Sequence, residues 1–271
     1  MSRTILITGA TGSIGKKLRA HFSALNSFDL RLVCRNPGND PEVITADLAE
    51  YEESWAQQFD NVDAVIHLAG SSSMMSPWEI VQRLNIDLSL NVLRAAERYR
   101  ARRVIFASSN WVMAGYRFGE EQLRTDLAPW PINPYGSAKL FIERAGYEWA
   151  ARCRISFVAL RIGHCQHAAG NVPGPHMQNG IWGQHMWLSD RDLCQGMERA
   201  VLAENVPFAI LNLMSANAGM RWDIEETRRV IGYHPQDGHV AVSAPAIEEA
   251  ERLARLEREV VARLEQLSSM W

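Results

Sequence analysis

Arg3-Thr4-Ile5-Leu6-Ile7-Thr8-Gly9-Ala10-Thr11-Gly12-Ser13-Ile14-Gly15 decides how this 271-residue chain folds. The first six residues form a short apolar, β-branched run, the pattern of a buried strand. Three glycines at G-x-x-G-x-x-G spacing follow, and a helical pattern then runs from Lys16 to Leu25. Glycine at these places permits a tight turn, close approach of a pyrophosphate and close packing of helix on strand. The helix N-terminus then turns its unpaired N–H groups toward the phosphates. The spacing is a variant of G-x-G-x-x-G, and its place directly after a strand favours a dinucleotide site over a plain turn. Gly9, Thr11, Gly12, Ser13, Ile14 and Gly15 are therefore the expected cofactor cradle.

Strand and helix patterns alternate beyond this point, as a parallel doubly wound sheet requires. Leu30–Cys34, Glu42–Ala46, Asp63–Gly70, Arg103–Ser109 and Ile155–Arg161 read as further strands, and Trp78–Arg100 as a long helical stretch. The expected fold class is α/β: a Rossmann-type sheet with helices on both faces and a small C-terminal substrate-binding part. It forms one domain over 1–271, with substrate-binding loops at about 163–187 and 214–243. Ligands bind such sheets at the C-terminal ends of the strands, where Gly9, Ala69, Ser109 and Arg161 all fall.

The end of the second strand bears on the cofactor. A carboxylate there would hold the ribose hydroxyls of NAD. Cys34 occupies that position and Arg35 follows, a neutral residue and then a cation, which suits the 2′-phosphate of NADP. The expectation is NADP, with NAD left open and Arg35 as a solvated loop charge the bland alternative. Asp47 is placed for the adenine amino group.

Asn133-Pro134-Tyr135-Gly136-Ser137-Ala138-Lys139 carries the chemistry. Asn133 suits a helix cap and Pro134 its first position. Residues four apart then share a face, so the Tyr135 phenol and the Lys139 ammonium point the same way. A free tyrosine titrates near pH ~10, and a fixed cation beside it favours the phenolate. The pair reads as a general acid/base for a hydroxyl or carbonyl. Two snorkelling side chains on a surface helix are the alternative that Tyr-x-x-x-Lys alone does not remove.

With the glycine turn, Ser109 and this pair assembled, the chain resembles an extended-type short-chain dehydrogenase/reductase over roughly residues 3 to 240. This is the superfamily of nucleotide-sugar epimerases, dehydratases and related dehydrogenases. The runs Phe106-Ala107-Ser108-Ser109-Asn110, Leu160-Arg161-Ile162-Gly163, Trp187-Leu188-Ser189-Asp190-Arg191-Asp192 and Ser215-Ala216-Asn217-Ala218-Gly219 look like the uronate dehydrogenase branch. Its members oxidise the anomeric hydroxyl of a cyclic uronic acid with a nicotinamide cofactor and no metal. The resemblance implies that Ser109 hydrogen-bonds the reacting oxygen and Tyr135 takes its proton. Lys139 would hold the nicotinamide ribose and depress the Tyr135 pKa. It places Ser72, Ser108 and Asn110 along the substrate. It also places Leu48, Leu68, Ala69, Gly70 and Ile162 around the cofactor, with Asn85 behind them.

Two departures stand out. The uronate branch has histidine directly after Ser-Ser-Asn, where this chain has Trp111. It also uses an arginine shortly after Arg-Ile-Gly to clamp the sugar carboxylate, yet no arginine or lysine occurs between Arg161 and Arg191. Arg221 or Arg117 would have to substitute from another loop. In the arginine's place stands a Gly/Pro-rich run from His164 to Trp187, and loops at this sheet edge carry specificity. His164-x-x-His167 lies in loop with no carboxylate in the run, so no metal site is expected. His164 and Trp111 are expected to face the substrate. The other imidazoles, with Trp182 and Trp187, would stack on and bond a polyhydroxylated ring, unless the run is a lid or an oligomer contact.

Net charge of −3 and the lack of a basic run argue against nucleic acid. The four cysteines lack C-x-x-C spacing, which fits reduced cytoplasmic thiols, and no apolar run approaches the ~20 residues that span a bilayer. The chain opens directly on the cofactor strand, with no signal peptide expected. Ala244 to Leu267 is a charged helical pattern with Leu253, Leu256, Val260, Leu264 and Leu267 in steps of three and four. That helix either packs on its own subunit or joins a homo-oligomer interface. Trp271 reads as packing or disorder.

Three functions remain. An NAD(P)-dependent sugar or sugar-acid dehydrogenase comes first. A sugar or nucleotide-sugar epimerase or dehydratase comes second, and a non-catalytic cofactor-binding regulator third.

Overall fold

The computed structural model describes residues 2–165 and 169–268. His167 and Trp271 lie outside the described residues, as does the side chain of Leu267. Seven parallel strands form one sheet: β1 (Arg3–Thr8), β2 (Phe28–Cys34), β3 (Val43–Thr45), β4 (Ala64–His67), β5 (Arg103–Ser109), β6 (Ser156–Ile162) and β7 (Phe208–Leu213). Their spatial order is β3-β2-β1-β4-β5-β6-β7. The order reverses between β1 and β4, and a crevice opens beyond the carboxyl ends of strands at such a reversal.

Side chains alternate across the strands and fill two cores, one on each face. Ile5, Ile7, Leu32, Ile105, Val158 and Leu160 face one core, closed by α1 (Ser13–Ala24) through Leu18 and Phe22. On that face α7 (Asp190–Leu202) adds Leu193, Met197 and Ala200, and α8 (Glu225–Ile231) adds Ile231. Leu6, Val33, Val104, Phe106 and Phe157 face the other core. There they meet α2 (Glu53–Ala56), α4 (Leu88–Arg98) and α5 (Pro134–Cys153) through Trp55, Val92, Leu93 and Ile142. The doubly wound expectation holds.

Two elements differ from the sequence reading. The stretch after Trp78 is not one regular helix: α3 (Trp78–Val81) leads into a π-helical segment, Gln82–Asp87, before α4. This segment places Asn85 against Ser71, whose backbone it holds with a 3.1 Å bond to Oδ1 and a 2.9 Å bond from Nδ2. The second difference is β7 itself. Asn212 interrupts the apolar run of that strand and is fully buried. Its amide nitrogen donates to the Leu123 and Asp223 carbonyls at 2.8 and 2.9 Å.

A third cluster sits beyond the strand ends. Val112, Met113, Leu123, Trp182, Met186, Met214 and Trp222 pack there, with α6 (Gly180–His185) supplying Trp182. The C-terminal helix α9 (Pro245–Ser268) lies against this part. Ile247 is buried, and Glu251 accepts a bond from the Ile181 N–H. Arg255 and Arg258 cover the Phe118 and Trp130 rings. Its apolar residues Leu253, Leu256, Val260 and Leu264 are exposed, the reverse of an ordinary surface helix. Among the described residues, no helix is long and apolar enough to cross a membrane.

Candidate active site

A cavity of about 1030 Å³ runs along the carboxyl edge of the sheet, from Arg35 and Asp47 at one end to Asn179 and Met186 at the other. The residues expected to bind cofactor or to carry the chemistry all line it except Asn85, which stands behind the wall and holds Ser71, and Ser72, Ser108, Asn110, Trp111 and His164 line it too. A smaller hollow of about 350 Å³ under α9 contains none of them.

The glycine turn after β1 forms the cavity floor. Gly9 has φ +70°, and a Cβ there would come within 2.9 Å of the Ala69 nitrogen. A Cβ on Gly15 would meet the Gly9 carbonyl at 2.4 Å, so helix and strand approach too closely for any side chain. No side chain caps α1, which leaves its first-turn N–H groups directed at the cavity. An anionic pyrophosphate fits this cradle by shape and by charge.

Behind the floor, Thr8 Oγ1 lies 2.8 Å from His67 Nδ1 and accepts the Ala69 N–H at 3.2 Å. His67 Nε2 reaches Ser89 Oγ at 3.0 Å. Burial, helped by the Lys139 charge, pushes the His67 imidazole down to about 3. It therefore stays neutral and acts as a fixed strap joining β1 and β4 beneath the cofactor loops.

At the adenosine end, Thr11 Oγ1 sits 2.8 Å from Cys34 Sγ, and Arg35 is exposed at the mouth. Asp47 accepts bonds from Arg83 at 2.9 Å and from the Ala49 N–H at 3.1 Å.

The other end holds Tyr135, Lys139 and Ser109, the expected acid/base group. Asn133 Oδ1 accepts the Gly136 N–H at 2.8 Å and Pro134 opens α5, as the capping argument requires. Lys139 is buried, and its Nζ donates to the Ala107 carbonyl at 2.7 Å. It lies 4.7 Å from the centre of the Phe106 ring and 5.6 Å from that of Tyr135. Burial lowers the Lys139 ammonium to about 8, partly opposed by Glu143.

Tyr135 departs from expectation. Burial pushes its phenol above the ordinary value, opposed by a hydrogen bond with Ser109. Burial of the phenol sets this direction, and the Lys139 ammonium, which donates to the Ala107 carbonyl, does not reverse it. Part of the Tyr135 surface remains open to the cavity, so the upward push is weaker than full enclosure would give.

Ser109 Oγ accepts the Trp111 N–H at 3.2 Å and faces Tyr135. Ser108 reaches the cavity wall, yet its hydroxyl donates to Glu143 at 2.6 Å rather than toward a ligand. Asn110 is buried and its Nδ2 contacts Met186 Sδ. Ser72, Trp111 and His164, the residues expected to face the substrate, line the cavity as well.

The tryptophans of the 164–187 run do not stack on a ligand. Trp182 is buried against Trp222, with ring centres 4.3 Å apart. Trp187 is buried and donates to the Asn171 carbonyl at 3.0 Å. Neither lines the cavity, because Trp182 joins the cluster beyond the strand ends and Trp187 is tied to Asn171 and packs against His239. Of the histidines in the run, His164 lines it, whereas the described His176 and His185 do not.

Arg221 does not supply a carboxylate clamp either. Its Nη2 donates to the Tyr116 and Arg117 carbonyls at 2.7 and 3.1 Å. Arg117 is likewise away from the cavity, and no residue of 214–243 lines it. That segment braces the wall: Asn217 donates to the His185 and Trp187 carbonyls. Among the described residues, no three His, Cys, Asp or Glu side chains converge as a metal set.

The sequence reading passed over Met74, Met75, Gln178, Asn179 and Met186, all on the cavity wall. It also passed over Glu143, fully buried below Lys139. The signal for Glu143 was available: it stands four residues after Lys139, hence on the same helix face.

The comparisons agree with this geometry. Residues 5–181 match the model of the NAD dependent epimerase/dehydratase family. An NAD-dependent glucose-6-phosphate dehydrogenase of Haloferax volcanii is 32% identical over 258 residues, 88% of this chain and 94% of that protein. An L-arabinose 1-dehydrogenase (NAD(P)(+)) of the same organism is 32% identical over 254 residues, 88% of this chain and 98% of that protein. The structure of a glucuronic acid dehydrogenase from Chromohalobacter salexigens superposes with TM-score 0.76 at 28% identity, covering 88% of this chain and 86% of that one. With a matching family model over more than half its length, the glycine turn and the Ser109, Tyr135 and Lys139 constellation, the chain belongs to the NAD dependent epimerase/dehydratase family of enzymes.

Proposed function

We propose that this protein is a cytoplasmic NAD(P)-dependent dehydrogenase that oxidises a hydroxyl of a free, uncharged aldose. One observation carries the neutral substrate: among the described residues, the lysine and arginine side chains on the cavity wall are Lys139 and Arg35. Lys139 is turned to a backbone carbonyl, and Arg35 stands at the adenosine end. A sugar carboxylate or phosphate would enter without a bidentate partner and lose the bonds that repay its desolvation. The hydroxyls, amides and imidazole of Ser72, Asn110, Gln178, Asn179 and His164 suit a polyhydroxylated ring.

In this reading Ser109 holds the reacting oxygen and Tyr135, as phenolate, accepts its proton. Lys139 supplies the positive potential that favours that phenolate once substrate and cofactor have filled the cavity. A nicotinamide cofactor held over Gly9–Gly15 would supply the hydride acceptor, so that loss of the proton to Tyr135 and of hydride from carbon leaves a carbonyl. Orientation and electrostatics do the rest. The experiment is net cofactor reduction by a panel of free aldoses, uronates and sugar phosphates. A nucleotide-sugar epimerase would instead interconvert sugars without accumulating reduced cofactor.

For the cofactor we propose NADP ahead of NAD. Cys34 offers no carboxylate to the ribose, and Asp47 is already paired with Arg83. Arg35→Ala is expected to weaken NADPH binding about 10-fold, the loss of one charged hydrogen bond, and to leave NADH unchanged. Fluorescence titration of both cofactors checks this, and equal losses would show that Arg35 does not read the 2′-phosphate. We also propose a homo-oligomer, supported by the exposed apolar stripe of α9.

A further inference from the structure

We propose that Glu143 is a positioning residue for the acid/base pair: its buried carboxylate, gripped by Arg161 and Ser108, is the fixed counter-charge of Lys139. The proposal rests on the reading of Lys139 as part of the reaction machinery. Tyr135, Lys139 and Glu143 follow at steps of four on one face of α5 and go progressively deeper. Tyr135 is partly open to the cavity, Lys139 is buried, and Glu143 has no exposed surface.

Three bonds hold the carboxylate. Oε1 accepts from Ser108 Oγ at 2.6 Å and from Arg161 Nε at 2.9 Å, and Oε2 accepts from Arg161 Nη2 at 2.8 Å. Arg161 is itself buried on β6, paired with Ser108 of β5 in the sheet register. The carboxylate thus ties three elements of the site together: α5, the end of β5 next to Ser109, and the end of β6 next to Ile162.

A buried ion pair is weak evidence for stability by itself. Its place here gives it another use. The groups facing Lys139 are Tyr135 and Glu143 on its own helix, His67 on β4, and Phe106, the Ala107 carbonyl and Ser108 on β5. Arg161 on β6 lies one bond further, behind Glu143. His67 is neutral, so Glu143 is the anion that offsets the cost of burying the ammonium. Without it Lys139 would face Arg161 alone and shed its proton earlier, together with the potential that favours the Tyr135 phenolate.

The test titrates Lys139 directly. The purified full chain is trace-labelled with acetic anhydride across a pH series, and acetylation of the Lys139 peptide is read by mass spectrometry. The wild-type midpoint is expected at about 8. Glu143→Gln, which keeps the shape and removes the charge, should lower it by about one unit. Glu143→Asp, which keeps the charge and changes the shape, should leave it near the wild-type value. A merely structural role predicts the opposite order, with Asp the more disruptive. Should Glu143→Gln fail to fold, the double variant Glu143→Leu/Arg161→Leu removes the pair whole, a change that buried ion pairs commonly tolerate. Its midpoint should also fall. An unmoved midpoint in the folded Gln or double variant would overturn the proposal. Because labelling needs no turnover, a wild-type protein that oxidises no sugar would count against the proposed function and not against this role of Glu143. Where turnover is found, the alkaline limb of the pH–rate profile should move down with Glu143→Gln.

Discussion

Tyr135→Phe lowers the rate of sugar oxidation by about 10³-fold and leaves NADPH affinity within about twofold of wild type; this is the expected result of removing the proton acceptor that faces Ser109. The phenol faces Ser109 inside the cavity and has no part in holding α1 or the glycine turn. Phenylalanine keeps the ring, the packing and the contact with Lys139, so only the hydroxyl is lost. The effect should fall on kcat rather than on KM, because the proton moves in the transition state. Steady-state kinetics beside a cofactor titration separate the two. Full activity in the folded variant would remove Tyr135 from the mechanism.

Lys139→Met should act in two directions at once. Activity should fall by roughly 10²- to 10⁴-fold, because the positive charge beside the phenol is gone. Stability should rise. Burial places the Lys139 ammonium at about 8 in the folded protein, below its ordinary value of 10.5. Below pH 8 both folded and unfolded chains carry the proton, and the folded protein bears the whole cost of the buried charge. Between about 8 and 10.5 the unfolded chain binds the proton and the folded one does not, so wild-type stability climbs with pH. The methionine variant lacks this cost at every pH. It should exceed wild type by roughly 3–4 kcal/mol at pH 7, at about 1.4 kcal/mol per pKa unit, and the advantage should vanish by about pH 10. Thermal or denaturant unfolding at pH 7 and pH 10 measures this. An equally large difference at both pH values would show that packing, not the buried charge, sets it.

The part of the fold nearest the N-terminus was legible because its constraints are local. A β-branched run, three glycines and a helical pattern are decided within fifteen residues, and the same holds for Asn133 and Pro134 at the start of α5. Non-local constraints hid the rest. Buried Asn212 masks β7 until the Leu123 and Asp223 carbonyls that accept its amide N–H groups are brought near. Trp182 and Trp187 looked like ligand-facing rings because their loop is rich in glycine and proline. Folding showed instead that they fill a core with Trp222 and bond Asn171. The Ser108 hydroxyl was assigned to substrate by its place beside Ser109. In the fold a strand turns adjacent side chains to opposite faces, and Ser108 finds Glu143. The Tyr135 pKa direction depended on how deeply the folded chain buries the phenol, which no sequence pattern encodes.

The central claim is oxidation of a neutral sugar at a wall without an anion clamp. It is tested most directly by mixing purified protein with NADP⁺ or NAD⁺ and following formation of reduced cofactor. Free aldoses, the matching uronates and sugar phosphates are each offered in turn. Reduced cofactor should accumulate fastest with an uncharged aldose, with the uronate at least about 10-fold lower in kcat/KM for want of a charged hydrogen bond. Faster turnover of the uronate or phosphate, or tight cofactor binding with no net reduction by any free sugar, would contradict it.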